Sequence, residues 1–277
     1  MMSVNFLPDD FNPSLPIVIL AGKGEYPKLI WKRLEERKAK SYVFAFEDLD
    51  WISSKNERYF EFPVGQVSTW LKALKKCRAR YVILAGQITP KKLFHGLNPD
   101  LKALWLLARL KEKNATTIFG ALIKEIEKLG IYVLDARSFL EDQLATLGDM
   151  TSEGLLEIPQ EILDKNVEIC RSVAALDIGQ SIVVSRGTVV IAEAFDGTDA
   201  MIERAGDICD RPMGLIKLAK QNQDFRFDVP VFGLRTLRKM YAAKIHWAAL
   251  EASRTILLNK AEVISEAERL KIRLFGI

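Results

Sequence analysis

Asp196-Gly197-Thr198-Asp199 places two carboxylates and a hydroxyl on a turn between an apolar run and a helical pattern, Ala200 to Ala205. Such a turn suits phosphate. Thr198 can cap the helix while the N–H groups and dipole of the first turn attract an anion. Carboxylates beside an anion repel it unless a divalent cation bridges the two, because hard cations take Asp and phosphate oxygens together. An ordinary helix N-terminus with a solvated acidic turn has the same spacing. Asp228 stands in Phe225-Arg226-Phe227-Asp228-Val229-Pro230. On a strand both Phe side chains would face one way and Arg226 and Asp228 the other, and Pro230 would end the pairing, leaving Asp228 at the sheet rim. A surface ion pair between Arg226 and Asp228 is the plainer use of the same residues.

Other candidates are weaker. Gln180, in Leu176-Asp177-Ile178-Gly179-Gln180, offers an amide for a base or sugar edge, although turn formation explains the same residues. Gly22-Lys23-Gly24, between a strand and a helix, would let backbone N–H groups of Gly22 and Gly24 approach phosphate, or simply make a tight turn. Pro27 replaces the third glycine of a dinucleotide fingerprint and no GK[ST] follows, which argues against nicotinamide and P-loop sites. With two histidines, His95 in a loop and His246 expected on a helix, a His-rich metal cage is excluded, and a metal must rest on carboxylates, which suits Mg²⁺ or Mn²⁺. Cys77, Cys170 and Cys209 are odd in number and widely spaced, so neither a disulfide framework nor a thiolate zinc site is expected. Lys91, Lys92, Lys102, Arg109 and Lys113 surround Trp105. That pattern fits an anionic lipid surface or a solvated face over a core stripe.

The elements that must hold these residues fall into two groups. Pro16 to Leu20, the glycine turn, a helix through Leu34 and the strand Tyr42 to Phe46 form a parallel α/β unit. Helices near 67–77, 101–111 and 118–129 and strands at 81–85 and 131–134 continue it, predicting a Rossmann-like open α/β sheet over residues 16–142. Residues 1–15 read as a loose arm and 143–158, with Gly148 to Gly154, as a connector. Residues 159–277 then read as a mixed α+β domain: helix 162–175, a hairpin 181–185/189–192, a helix from Thr198, strands 214–219 and 225–232, a long helix 234–252, and a closing strand, helix and strand. The net charge of +4 on 277 residues is too small to argue for nucleic acid as a partner. No signal peptide or membrane-spanning run is seen, so the chain is expected to be cytoplasmic.

Leu176 to Gln180, Arg186-Gly187, Asp196 to Met201 with Arg204-Ala205, and Asp228-Val229-Pro230 occur in the order and spacing of the LpxI type of UDP-2,3-diacylglucosamine pyrophosphatase, which the chain resembles from about Ile17 to its C-terminus. The resemblance implies a lipid A pathway enzyme with two domains that hydrolyses UDP-2,3-diacylglucosamine to 2,3-diacylglucosamine 1-phosphate (lipid X) and UMP with Mg²⁺ or Mn²⁺, water attacking the sugar-linked phosphorus. The family's essential aspartate matches Asp228, and its phosphate-contacting pair matches Thr198 and Asp199. Asp228 is therefore expected as the catalytic carboxylate, Asp228, Asp199 and Asp196 as metal ligands, and Gly22, Gly24, Gln180, Gly197, Thr198 and Asp199 as substrate contacts. A lipid-linked nucleotide sugar and, transiently, the inner face of the inner membrane are the expected partners. Self-association into a homo-oligomer is left open. The competing readings are another α/β nucleotide enzyme and a non-enzymatic nucleotide- or membrane-binding adaptor.

Overall fold

The computed structural model describes residues 5–46, 48–53, 56–87, 99–152 and 158–277. It divides into two compact units: Asn5–Phe139 with Phe225–Phe227, and Leu140–Asp224 with Asp228–Ile277. Both are α/β.

In the first unit, β1 (Ile17–Ala21), α1 (Glu25–Glu36), β2 (Ser41–Ala45), β3 (Tyr59–Glu61), α2 (Val67–Lys76), β4 (Tyr81–Ala85), α3 (Leu101–Arg109), α4 (Ala115–Glu127) and β5 (Tyr132–Val133) follow one another. The strands form one parallel sheet, β3-β2-β1-β4-β5, the order of a doubly wound fold. The run IVILA of β1 and YVILA of β4 are buried throughout, as central strands covered on both faces must be. The arm is not loose where it is described. Phe11 lies against Tyr81 with ring centroids 4.7 Å apart, and the Asn12 N–H donates to the Tyr81 hydroxyl at 2.9 Å, so apolar contact ties it down.

In the second unit, β6 (Gly148–Asp149), α5 (Gln160–Ala175), β7 (Ser181–Ser185), β8 (Thr188–Ala192), α6 (Gly197–Ile208), β9 (Met213–Lys217), β10 (Val231–Phe232), α7 (Leu234–Ala242), β11 (Ile245–Leu250), β12 (Ile256–Leu257), α8 (Lys260–Arg269) and β13 (Arg273–Gly276) form a mixed sheet, β6-β13-β11-β9-β7-β8, and a small parallel pair, β10-β12. Alternation along the strands builds two cores. Val183 and Leu215 join Met201, Ile202, Ala205, Leu237 and Val263 on one face; Ile182, Val184 and Ile216 join Leu163 and Cys170 of α5 on the other. Gly214 is required where Trp247 crosses β9, since a Cβ there would lie 1.8 Å from the indole.

Three further expectations change. The connector is partly strand, because β6 pairs antiparallel with β13 and so belongs to the second sheet; residues 153–157 lie outside the described residues. Residues 225–227 are a turn and not a strand. The helix begun at Leu234 stops at Ala242; Lys244 takes φ 58° and the chain enters β11, placing His246 exposed on a strand.

Candidate functional site

Register places the polar groups. Antiparallel pairing of β7 with β9 sets Ser181 opposite Lys217, and the Glu193 N–H, one residue past β8, donates to the Ser181 carbonyl at 2.8 Å. Glu193 thereby lies beside Thr198 in the first turn of α6. Its carboxylate accepts from the Thr198 hydroxyl at 2.8 Å, from the Gln180 N–H at 3.3 Å and, through a short bond, from the Ser181 hydroxyl. The Lys217 ammonium donates to Thr198 Oγ1 at 2.8 Å and reaches Ser181 Oγ at 3.5 Å. Lys217 is buried, and it sits at the C-terminal end of a strand that runs parallel to β11, where open α/β sheets place ligands.

Gln180 joins this cluster to Asp228. Its backbone N–H binds Glu193, its carbonyl accepts from the Leu218 N–H at 2.9 Å, and its side-chain amide donates to Asp228 Oδ2 at 3.4 Å. Asp228 is half-buried. Its N–H donates to the Asp224 carbonyl at 3.1 Å and its own carbonyl accepts from the Gln223 amide at 2.7 Å, so the turn before it fixes its backbone. Among the described residues it has no cationic partner. Arg226 does not pair with it; that guanidinium binds Glu127 at 2.8 Å.

The other sequence-selected residues are arranged differently. Asp196 is held by Arg204 at 2.9 Å and Asp199 by Arg235 at 2.8 Å. No three His, Cys, Asp or Glu side chains converge among the described residues, so Asp196, Asp199 and Asp228 do not form a ready cage. Thr198 does not cap α6. Asp196 is the N-cap residue but its side chain makes no capping bond, and the Thr198 hydroxyl turns to Glu193 instead. Gly197 has φ 83° and donates its N–H to the Ala194 carbonyl at 3.0 Å. Gly22 is needed for close approach: a Cβ would stand 2.5 Å from the Gln87 carbonyl oxygen, and the N–H groups of Gly22 and Lys23 already donate to Ala85 and Gln87. Gly24 precedes α1 with φ 101° and open space around it. Lys91, Lys92 and His95 lie outside the described residues.

Burial pushes the Cys170 thiol up to about 12, with Lys217 opposing and Glu193 reinforcing the shift, so it stays neutral and is no nucleophile. Sequence reasoning missed Glu193 and Lys217. The signal was there: Lys217 is a lone charge inside the apolar run of β9, Met213 to Ala219, and a charge in a buried strand needs polar company.

Family comparison decides what this arrangement belongs to. The LpxI N-terminal domain matches residues 16–143 and the LpxI C-terminal domain matches residues 147–275. The chain belongs to the LpxI family. A protein of Caulobacter vibrioides, UDP-2,3-diacylglucosamine pyrophosphatase LpxI, is 27% identical over 225 residues, spanning 77% of this chain and 80% of its own length. The cluster around Glu193, Lys217, Gln180 and Asp228 falls wholly within the C-terminal LpxI domain. No helix among the described residues is long and apolar enough to cross a membrane.

Proposed function

We propose that this chain is a UDP-2,3-diacylglucosamine pyrophosphatase of lipid A synthesis, releasing UMP and 2,3-diacylglucosamine 1-phosphate. The observation that carries the reading is the match of both LpxI domains, which together run from residue 16 to residue 275. The geometry supports it in two ways. A carboxylate, Asp228, is held by an amide rather than by a cation, which leaves it able to orient a water and take its proton. Exposed Leu176, Ile178 and Phe195 flank the polar cluster in the chain, supplying apolar surface beside an anion site, as a diacylated nucleotide sugar requires.

A dedicated three-carboxylate metal cage does not fit these residues. A cation that arrives with the substrate does fit, because Mg²⁺ commonly takes one or two carboxylates together with phosphate oxygens, and of Asp196, Asp199 and Asp228 the first two are held by arginines while Asp228 has no cationic partner among the described residues. Such an ion would neutralise the pyrophosphate charge. Gln180 holds one Asp228 oxygen and leaves the other for water. Hydrolysis in ¹⁸O-labelled water should place the label in the sugar phosphate and none in UMP, and excess EDTA should stop turnover. Absence of both products from the purified chain would end this reading; label in UMP would move the attack to the other phosphorus.

We also propose that α3 meets the substrate at the membrane surface. Leu101, Leu104 and Trp105 are exposed, and the Arg109 guanidinium lies 4.4 Å from the Trp105 ring centroid. Lys102 is a poor probe of this face because it pairs at 2.5 Å with buried Glu125, whose carboxyl Lys102 and Lys128 hold below its usual range. The double variant Trp105→Ser, Arg109→Glu should therefore lose binding to anionic vesicles, and wild-type binding should weaken as salt rises. Equal sedimentation of the two proteins with vesicles would remove the idea.

A further inference from the structure

The hydroxyl of Thr198 cannot both serve Glu193 and donate to a phosphate. A hydroxyl carries one proton, and Thr198 gives it to Glu193 Oε1 at 2.8 Å, as Ser181 gives its own to Glu193 Oε2. What both oxygens present to Lys217 is lone pairs. The ammonium directs two of its three N–H groups to them, at 2.8 and 3.5 Å. Its third has no acceptor, and Lys217 has no carboxylate in ion-pair contact, among the described residues. Glu193 meanwhile accepts three donors, the two hydroxyls and the Gln180 N–H, and is not within ion-pair distance of Lys217 among the described residues. The cluster thus leaves one ammonium N–H without an acceptor in reach among the described residues, on a cation that is only 7% exposed. Burying an ammonium in this state is costly unless an anion completes it.

We propose that Lys217 is the cation that grips the pyrophosphate of the nucleoside diphosphate sugar, and that Glu193 is a positioning residue acting through Thr198 and Ser181. This rests on the pyrophosphatase reading for the identity of the ligand. Glu193 fixes the direction of both hydroxyl protons, which turns their lone pairs toward Lys217 and aims its remaining N–H outward. Thr198 then matters for its accepting oxygen, not as a donor to phosphate. A group that holds the ligand equally before and during reaction raises KM with little change in kcat when removed, the opposite of what a group acting on the attacking water does.

The test uses the full chain with two measurements: calorimetric titration with UDP in magnesium buffer, and hydrolysis of UDP-2,3-diacylglucosamine. Lys217→Met should weaken UDP binding by roughly 10- to 100-fold, the range of one hydrogen bond to a charged group, and raise KM by a similar factor. Lys217→Arg should recover part of the loss. Thr198→Val should lose about 10-fold in UDP affinity, and Thr198→Ser, which restores the oxygen, should recover most of that. Glu193→Gln should raise KM in the same direction, because its amide offers only one acceptor to the two hydroxyls. Lys217→Met binding UDP within threefold of wild type would overturn the proposal, as would Thr198→Val doing so if Lys217→Met does not fold. If wild type hydrolyses nothing while Lys217→Met loses UDP affinity, the substrate reading fails and the anion grip stands.

Discussion

Asp228→Ala should lower kcat by at least ~10²-fold, the lower end for one positioned acid–base group, with KM nearly unchanged. The backbone bonds that hold residue 228, its N–H to Asp224 and its carbonyl from Gln223, do not involve the carboxylate and survive the change. The side chain is half-buried and outside both apolar cores of the second unit, so its removal opens no cavity there and should shift stability by no more than about 1 kcal/mol. The Lys217 cluster remains, and with it the proposed hold on phosphate, so the variant should co-purify with uncleaved substrate. Asp228→Asn should be almost as slow, since an amide neither takes a proton nor balances charge. Retention of more than a tenth of wild-type kcat by Asp228→Ala would disqualify it. Asp199 and Asp196 would then be the carboxylates to test, although each already has an arginine.

Much of this architecture is legible in the sequence because its strands are short, continuous apolar runs set between glycine turns and amphipathic helices. IVILA, YVILA and SIVVS are rich in β-branched residues and run into a glycine within two residues, which favours strand over buried helix. The same rule fails at Ile245 to Leu250, IHWAAL, which follows a helix without a break in hydrophobicity. A buried apolar run of that length fits either structure, and only pairing with β9 and β13 makes it a strand. Phe225 and Phe227 mislead in the opposite way. Their alternation with Arg226 and Asp228 mimics a half-buried strand, yet Phe225, Arg226 and Phe227 each have a separate partner distant in the chain. Phe225 lies under the Arg137 guanidinium at 3.6 Å, Phe227 stacks on Phe119 at 5.4 Å, and Arg226 pairs with Glu127. Four residues are too few to separate a two-residue period from coincidence.

The candidate site is half legible for a related reason. Asp196, Thr198, Asp199 and Asp228 lie in polar turns where chemistry is conspicuous, and the structure gives two of them to arginines. Glu193 and Lys217 lie at the ends of apolar strands, where one polar residue looks like a boundary. Only the register that sets Ser181 against Lys217, together with the return of the chain after β8, shows that both reach the hydroxyls of Ser181 and Thr198.

Gly179→Ala should damage the candidate site although it removes no functional group. Gly179 is not among the positive-φ glycines, so backbone conformation alone does not require glycine there. Space does. A Cβ on it would lie 2.3 Å from the Glu193 carbonyl oxygen, 2.7 Å from its carbonyl carbon and 2.8 Å from its Cβ. Two of those atoms are backbone, and Glu193 is anchored through its N–H to Ser181, so the strand side cannot withdraw without breaking that bond. The segment carrying Gln180 must move instead. That motion strains the Gln180 N–H bond to Glu193 and the amide bond to Asp228, the two links between the Lys217 cluster and Asp228. Overpacking of this kind costs about 1–3 kcal/mol, visible as a lower Tm. A misplacement near 1 Å can cost about 10²-fold in rate, so kcat/KM should fall on that scale although every polar side chain is present. Gly197→Ala is the control. Gly197 has φ 83° and no atom within 4 Å of the place a Cβ would take, so alanine there costs roughly 1–2 kcal/mol for the left-handed backbone without pushing on Gln180. Comparable losses of Tm with a far larger loss of kcat/KM in Gly179→Ala would place the coupling in the Gln180 segment. Equal kcat/KM in the two variants would mean that Gln180 does not connect Glu193 to Asp228.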